Sequence, residues 1–448
     1  MNQQAPLKSG RVAVVGSGIS GLACAWLLQQ RYDVTLFERE GRLGGHSNTA
    51  VADYDGHAMP VDTGFIVFNA PNYPNLLGLF AELGVATENS DMSFAVSVGN
   101  GALEWSGSTI ATLFAQKRNL LSPRFHRMWL DILRFNKEAP RDWAAGRLDG
   151  KSLGDYIDAG RYSETFRLDY LLPMGAAIWS SPMADMLAFP ARTFVRFFMN
   201  HGLLSVNDRP QWQTVSGGSR EYVRRIGERL GNAIRLNAPV VEVRRAAQGA
   251  TVRTADGTTE RFDHVVLAAH GDQSLAMLKD VDAEEREILS GFRFQPNRAI
   301  LHRDANLMPK RRGVWASWNY LSEPRRDLQR RVGLTYWMNR LQNLDPARPL
   351  FVTLNPLEPP NPKLVFASFD YDHPLFDATA IAMQRRLPAI QGRGGIWYAG
   401  AWSGYGFHED GLSSGIAVAE ALGAKRPWKA QGNSDIHPMP ALKPVVPA

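Results

Sequence analysis

Long apolar runs near both ends of the chain alternate with glycine-rich turns, which is typical of buried parallel strands joined by helices. The first run, over residues 11–15, precedes a glycine-rich turn and a helical segment, and a second run covers residues 33–37. Two further apolar runs lie at residues 264–269 and 395–400, and a helix over 413–422 follows the last of them. We therefore predict an α/β fold whose parallel sheet is assembled from distant parts of the sequence.

The middle of the chain has a different pattern. Leu76, Leu77, Phe80 and Leu83 recur at helical spacing, and no strand–helix alternation is visible between about Pro71 and Asn207. We interpret this segment as a helical cap that is inserted into a nucleotide-binding domain. The expected division is a discontinuous nucleotide-binding domain of residues 9–70, 208–293 and 390–424, an inserted α+β substrate domain of residues 71–207 and 294–389, and a disordered tail of residues 425–448.

The turn after the first apolar run has the spacing of a dinucleotide-binding fingerprint. Gly16 permits a tight turn, Gly18 lets a pyrophosphate approach the backbone, and Gly21 lets the helix pack closely on the strand. Glu38 follows the second strand, at about the distance where a carboxylate binds the ribose hydroxyls. The other cofactor-binding residues expected around this turn are Ser17, Ser20 and Arg39.

A second glycine pair, Gly44 and Gly45, follows soon after the expected ribose-binding acid. A nicotinamide enzyme does not need this pair, but it suits a second approach to a longer dinucleotide, with Arg42 donating to a phosphate. Further expected cofactor-binding residues in this region are Leu43, His46, Gly64 and Phe65.

Composition narrows the class of protein. The chain has 448 residues, of which 44% are hydrophobic, enough for a large core and two domains. The formal charge of +6 permits contact with anionic lipid or nucleic acid, but no nucleic-acid motif accompanies it. The single cysteine, Cys24, excludes an internal disulfide and favours a reducing compartment. No apolar stretch of membrane-spanning length and no signal-peptide pattern occur, so we expect a cytoplasmic protein.

The histidines give no indication of a metal site. The ten histidines include no pair at i, i+3 or i, i+4 spacing, which a clustered metal centre on a helix would need. We therefore expect no metal, and the redox chemistry is left to the bound dinucleotide.

The string from Tyr398 to Gly415 resembles the C-terminal motif of the flavin-containing amine oxidase and phytoene desaturase superfamily, and the two glycine motifs extend the resemblance. The resemblance implies a Rossmann-type FAD-binding domain of the glutathione-reductase kind, with non-covalent FAD. It places Gly400 by the ribityl chain and lets the backbone of Val240 pair with the adenine. It also assigns Asp410, Gly411 and Leu412 to the pyrophosphate and the ring, and it puts Ala401 where many members carry an acid.

Two strings narrow the resemblance. Residues 404–411 and 44–49 are similar to those of a bacterial group found beside, or fused to, cyclopropane fatty acid synthases, which includes the desaturase of furan fatty acid synthesis. This implies a desaturase or dehydrogenase that removes hydrogen from a methyl-branched acyl chain of a phospholipid by hydride transfer to the flavin.

His408 and Glu409 are the catalytic candidates, because they adjoin the flavin motif and forming a double bond needs a base. The ordinary pKa of histidine, about 6.5, suits that role, although a structural histidine fits the same position. Amine oxidases carry at the position of His408 a tyrosine that forms one wall of an aromatic cage over the flavin. Such a cage holds a cation by its ring faces, so the histidine weakens the case for an amine substrate. The alternatives left open are an amine oxidase, a non-redox flavin-dependent isomerase and a non-catalytic partner of a lipid methyltransferase.

Two segments are candidates for lipid contact at the inner face of the membrane. Residues 190–204 carry Phe194, Phe197 and Phe198 on one broad helical face, which suits an acyl-chain tunnel, an interfacial helix or a core helix. Residues 117–129 combine basic and aromatic side chains, as a headgroup-facing surface or an ordinary solvated face would. The sequence leaves the oligomeric state open.

Overall fold

The computed structural model of the protein describes residues 8–179, 182–204, 210–325, 327–429 and 442. The strands of this part are β1 (Arg11–Val15), β2 (Asp33–Phe37), β3 (Thr49–Tyr54), β4 (His57–Asp62), β5 (Val67–Asn69), β6 (Thr87–Ser90), β7 (Phe94–Val98), β8 (Leu103–Ser106), β9 (Trp212–Val215), β10 (Ile234–Arg235), β11 (Val240–Arg245), β12 (Ala250–Thr254), β13 (Thr259–Phe262), β14 (His264–Leu267), β15 (Arg293–His302), β16 (Trp318–Ser322), β17 (Val332–Trp337), β18 (Phe351–Leu354), β19 (Val365–Leu375) and β20 (Ile396–Tyr398).

The α-helices of the same residues are α1 (Ile19–Leu28), α2 (Pro74–Leu83), α3 (Ile110–Leu113), α4 (Pro123–Ala144), α5 (Leu153–Ala159), α6 (Glu164–Phe166), α7 (Leu172–Trp179), α8 (Met183–Ala188), α9 (Ala191–Asn200), α10 (Arg220–Leu230), α11 (Gly271–Met277), α12 (Ala283–Ser290), α13 (Met338–Leu341), α14 (Ala378–Arg386) and α15 (His408–Ala421). No helix in this described part of the chain has the length and apolar character needed to cross a bilayer.

A five-stranded parallel sheet carries the nucleotide-binding motifs. Its strand order is β10-β2-β1-β14-β20, and every neighbouring pair is parallel. Helices α1, α10 and α15 cover one face, and the three-stranded sheet β11-β12-β13 with α12 covers the other, so the central strands are buried on both sides and are continuous apolar runs. The predicted α/β class with a parallel sheet is confirmed. All five strands come from the three segments that we assign to the nucleotide-binding domain.

Helix α1 lies between this sheet and helices α10 and α15, and all of its residues are buried. This burial explains why the helix is apolar all round and not on one stripe alone. Helix α15 begins at His408, five residues before the predicted start at Ser413. Glu409 and Asp410 occupy its first turn, where acidic side chains stabilise the positive end of a helix.

A seven-stranded mixed sheet forms the second layer, in the order β19-β15-β18-β17-β16-β7-β8. The prediction of a helical cap is wrong for residues 87–106, which contain β6, β7 and β8. Strand β7 pairs in parallel with β16, with Phe94 opposite Trp318. Strand β7 also forms a hairpin with β8, and Gly99, Asn100 and Gly101 in the turn between them are a local hairpin signal that the prediction overlooked.

The chain beyond α15 was predicted to be disordered, and most of that stretch lies outside the described residues. The described residues 425–429 differ from the prediction, because they pack against the fold. Trp428 stacks on Trp26, with ring centroids 6.0 Å apart, and Arg426 donates a hydrogen bond of 2.6 Å to the side chain of Asn75.

Candidate active site

The two glycine-rich ends of the chain meet where α1 crosses α15. A Cβ added to Gly411 would stand 2.9 Å from Cγ2 of Ile19, and one added to Gly415 would stand 2.2 Å from the carbonyl oxygen of Ser20. Both distances are shorter than real Cβ contacts, so only glycine permits this approach. The structure thus brings the first and last sequence motifs into one site.

The fingerprint turn holds the acid that was predicted to bind ribose. The backbone N–H and the hydroxyl of Ser17 donate to Glu38 at 2.9 and 2.5 Å, and the backbone N–H of Glu40 donates to its other oxygen at 2.9 Å. Gly16 has a φ of +104°, and a Cβ there would meet the carbonyl oxygen of Ala268. No side chain caps the start of α1 at Gly18, so the first N–H groups of the helix are available to an anion.

A continuous cavity of about 1520 Å³ runs from this turn into the second layer. The predicted site residues that line the cavity are Gly16, Ser17, Gly18, Ser20, Glu38, Arg39, Arg42, Gly44, Gly45, His46, Gly64, Phe65, Val240, Gly400, Ala401 and His408. The predicted site residues that do not line it are Gly21, Leu43, Glu409, Asp410, Gly411 and Leu412.

Some of the predicted cofactor-binding residues direct their side chains away from the cavity. Leu43 packs in the core near Gly227 on α10, and Leu412 is fully buried in the core between the sheet and its helices. Asp410 accepts a 2.9 Å hydrogen bond from the backbone N–H of Phe407, so it caps its own helix. The motif places these residues beside the cavity, but their side chains stabilise the elements that form it.

Arg42 was predicted to donate to a phosphate. It lines the cavity, but its Nη1 donates to the carbonyl oxygen of Gly45 at 2.9 Å. This bond closes the glycine loop on itself, so one part of the guanidinium group positions Gly44 and Gly45 along the cavity wall.

His408 stands at the first residue of α15 and faces the cavity. Its Nε2 lies 2.8 Å from the hydroxyl of Tyr222 and 3.2 Å from that of Ser47, and its ring stacks on Phe65. Burial lowers the pKa of His408 to about 3. The ring is therefore neutral near pH 7, which corrects the prediction of a base that titrates close to neutrality. The structure makes His408 a hydrogen-bonded wall residue.

Glu409 is wrong as a catalytic candidate, because its carboxylate points away from the cavity. It accepts hydrogen bonds from the backbone N–H groups of Asn75, at 2.8 Å, and Leu76, at 2.9 Å. These two groups belong to the first turn of α2, whose unpaired donors need an acceptor. Glu409 thus joins the start of α2 to the start of α15.

Sequence analysis missed a group of three imidazoles in the cavity wall. His46 lies between His373 and His270, with ring centroids 5.4 and 6.5 Å away. His270 also stacks on Phe294 at 4.2 Å. Burial lowers the pKa of all three, to about 4 for His373. Their segments are far apart in sequence, so no local motif could have grouped them. No set of three metal-ligating side chains in the described residues is arranged to hold a metal ion.

The wall of the cavity farthest from the fingerprint turn is aromatic and apolar. Its residues include Trp105, Trp129, Ile132, Tyr170, Met174, Ile178, Trp179 and Trp318. Of the predicted aromatic face of α9, Phe194 and Phe198 are buried in the core, and Phe197 reaches the cavity, where it stacks on Phe407 at 4.7 Å. Helix α9 is therefore a core helix at Phe194 and Phe198 and borders the cavity at Phe197.

The donor set of the cavity fits a bound FAD. Glu38 would hold the ribose hydroxyls, the open N-terminus of α1 would hold the pyrophosphate, and the backbone at Val240 lies at the same end of the cavity. Gly64 and Gly400 line its continuation toward the aromatic wall, where bare backbone leaves room for a planar ring.

Comparison with known proteins agrees with this arrangement. A family model described as "Flavin containing amine oxidoreductase" matches residues 19–282. The carotenoid phi-ring synthase of Streptomyces griseus is 30% identical over 289 residues, which cover 57% of this chain and 52% of that protein. The chain thus spans about half the length of the curated relatives that it matches.

Two solved structures share the fold over almost the whole chain. Putrescine oxidase bound to putrescine has a TM-score of 0.64 at 18% identity, and the match covers 92% of this chain and 98% of that one. A CLA-producing fatty acid isomerase from P. acnes has a TM-score of 0.61 at 15% identity, with coverages of 91% and 97%. At these identities the likeness shows the fold alone.

Proposed function

The chain belongs to the flavin-containing amine oxidoreductase family, and on that premise we propose that it is an FAD-dependent oxidoreductase that removes hydrogen from the acyl chain of a lipid. The family match confirms FAD as the expected cofactor. The bound flavin would supply the chemistry of two-electron acceptance from a carbon held against its ring. The residues of this chain supply the binding, the orientation and the exclusion of water.

The aromatic wall is the observation that carries the proposal. An acyl chain offers no charge or hydrogen bond, so it is held by apolar contact over a long surface. Trp105, Trp129, Trp179 and Trp318 provide such a surface in one continuous space with the fingerprint turn. The cavity is large enough for a long substrate beside a dinucleotide.

His408 contributes a neutral ring to the wall at the junction of the two halves. Because Tyr222 and Ser47 hold its Nε2, the ring is fixed in orientation. A neutral, stacked imidazole holds an apolar substrate without introducing a charge, whereas a cation would prefer the face of a tyrosine or tryptophan. The precedent of a fatty acid isomerase with the same fold supports an acyl substrate.

Amine oxidation is the second candidate, and two acids favour it. Asp370 and Asp372 of β19 line the cavity, and Asp372 precedes His373 in the strand. A carboxylate beside aromatic rings is a suitable environment for an ammonium group. Putrescine oxidase has the same fold, so this alternative has its own structural precedent.

Anaerobic mixing of the purified FAD-loaded protein with candidate substrates tests the proposal. We expect a phospholipid with a methyl-branched acyl chain to bleach the flavin absorbance, and mass spectrometry to find a product that lacks two hydrogens. Bleaching by putrescine or an aryl amine, with none by the lipid, would contradict the proposal in favour of amine oxidation. An unchanged product mass, with activity only after chemical reduction, would indicate an isomerase.

A further inference from the structure

We propose that residues 107–134 form a docking surface for an anionic phospholipid bilayer, from which the acyl chain enters the cavity. This inference rests on the proposed function, because it names the source of the substrate. The docking surface follows β8 and includes helix α3 and the first half of α4.

The docking surface holds most of the exposed apolar side chains of the protein. Eight large apolar side chains are exposed among the described residues, and five of them fall in this one segment. Leu121 is 87% exposed and Leu130 is 61% exposed. Single exposed leucines are ordinary on protein surfaces, but this concentration marks a surface that contacts an apolar phase. The five residues are Ile110, Leu120, Leu121, Leu130 and Leu133.

Cations surround these apolar side chains. Residues 107–134 contain five lysines and arginines and one acid, Asp131, which is buried and pairs with Arg127 and Arg134. Lys117 and Arg118 are exposed, and neither forms an ion pair within the part of the chain that the structure describes. Unpaired cations next to exposed leucines are complementary to a bilayer with anionic headgroups.

The same helix connects this surface with the cavity. Trp129 and Ile132 of α4 line the cavity, while Leu130 and Leu133 face outward from adjoining positions of the helix. Gly107 lines the cavity and is also exposed, and it lies three residues before Ile110, so this part of the surface adjoins the cavity. An acyl chain that leaves a bilayer docked here would reach the aromatic wall without crossing water.

Vesicle binding by the FAD-loaded protein tests the docking surface independently of turnover. The probes are vesicles of phosphatidylcholine alone and vesicles with roughly one third phosphatidylglycerol, at moderate salt. We expect the wild type to bind the anionic vesicles and to bind the neutral ones more weakly. The double variants Leu121→Glu/Leu130→Glu and Lys117→Glu/Arg118→Glu should each bind about tenfold more weakly or worse.

Matched controls come from exposed positions elsewhere on the molecule. Val51→Glu and Lys363→Glu change the same kinds of side chain away from the docking surface and should keep wild-type vesicle binding within about twofold. Absence of wild-type binding to anionic vesicles, or equal binding by the docking-surface variants, would overturn the inference. So would a self-association of the wild type in light scattering that the leucine variants abolish, because it would assign the surface to a second copy.

Activity separates this inference from the proposed function. On a substrate dispersed in detergent micelles, the docking-surface variants should turn over like the wild type, whereas on vesicles they should be slower. Intact vesicle binding without turnover of any lipid would contradict the proposed function and leave the docking surface supported.

Discussion

The imidazole of His408 stacks on the ring of Phe65, with centroids 3.8 Å apart and planes inclined by 8°. Phe65 comes from the loop after β4, and His408 is the first residue of α15, so the early and late parts of the nucleotide-binding unit share one piece of cavity wall. Burial lowers the pKa of His408 to about 3, which keeps the ring uncharged. We therefore assign this contact a positioning role in the site.

Substitution of His408 separates positioning from proton transfer. We expect His408→Gln to lower kcat about tenfold, because the stacked wall is lost, and to leave the shape of the pH profile between pH 5 and 9 unchanged. Phe65→Leu, which removes the other ring of the stack, should have a similar effect. A wild-type inflection near pH 6.5 that disappears in His408→Gln would contradict this and restore His408 as a base.

Glu409 is expected to matter for stability and not for chemistry. Its carboxylate accepts from the backbone N–H groups of Asn75 and Leu76, so Glu409→Ala should lower the free energy of unfolding by about 2 to 3 kcal/mol. Urea denaturation measures the loss, and kcat of the folded fraction should stay near wild type. Glu358→Ala, at an exposed acid in the loop after β18, is the control. Lost turnover in Glu409→Gln at unchanged stability would refute the structural role.

The sequence predicted those parts of the fold whose signal lies in neighbouring residues. Continuous apolar runs predicted the strands around Val14 and Val266, because a strand buried on both faces needs no polar positions. Gly16 and Gly21 predicted the tight turn and the close helix packing after β1, because a Cβ at either position would meet backbone. The hairpin of β7 and β8 has a local turn signal at Gly99, Asn100 and Gly101 and was overlooked, whereas the pairing of β7 with β16, more than two hundred residues away, has no local signal.

The residues of the candidate site likewise divide into those with a local sequence signal and those without one. Glu38 was found from its distance to the fingerprint, whereas His270 and His373 could not be joined to His46 before the sheets were folded. Leu412 lies in the flavin motif but its side chain packs in the core, so a contact with the cofactor would come from its backbone. The aromatic wall was missed because its residues are distant in sequence. Its tryptophans come from four separate elements.

Because α1 and α15 cross so closely, even the smallest side chain at the crossing should lower the stability of the protein. In Gly415→Ala the new Cβ would fall 2.2 Å from the carbonyl oxygen of Ser20, so the helices must separate. We expect a loss of about 2 kcal/mol or more in stability and a measurable loss of FAD affinity. Gly313→Ala, where nothing lies within 4 Å, is the matched control. Equal stability of the two variants would show that the crossing tolerates a Cβ.

The acid of the fingerprint should control cofactor binding. Glu38→Ala removes the acceptor of the Ser17 and Glu40 N–H groups and the expected ribose ligand, so FAD affinity should fall about tenfold or more. Recovery of flavin fluorescence on dilution measures the dissociation constant. Glu358→Ala removes an exposed acid outside the cavity, and it should bind FAD like the wild type. Equal affinities in the two variants would remove Glu38 from the binding site.

Stability should fall on mild acidification, and His302 supplies a separable part of that fall. His302 is fully buried, its Nε2 lies 2.7 Å from Oγ1 of Thr353, and its Nδ1 accepts from the backbone N–H of Asp304. Burial lowers its pKa from 6.5 to about 4. Below pH 6.5 the unfolded chain therefore binds a proton that the folded chain does not. The contribution of His302 to the free energy of unfolding is complete above pH 6.5 and is lost as the pH falls, by about 2 kcal/mol at pH 5 and about 3 kcal/mol at pH 4.

Urea denaturation across this pH range should give a shallower pH dependence of stability for His302→Gln than for the wild type, whatever the absolute stability of the variant. His126→Gln, at an exposed position, is the control. Parallel pH dependences for wild type and His302→Gln would show that His302 takes up its proton equally in both states.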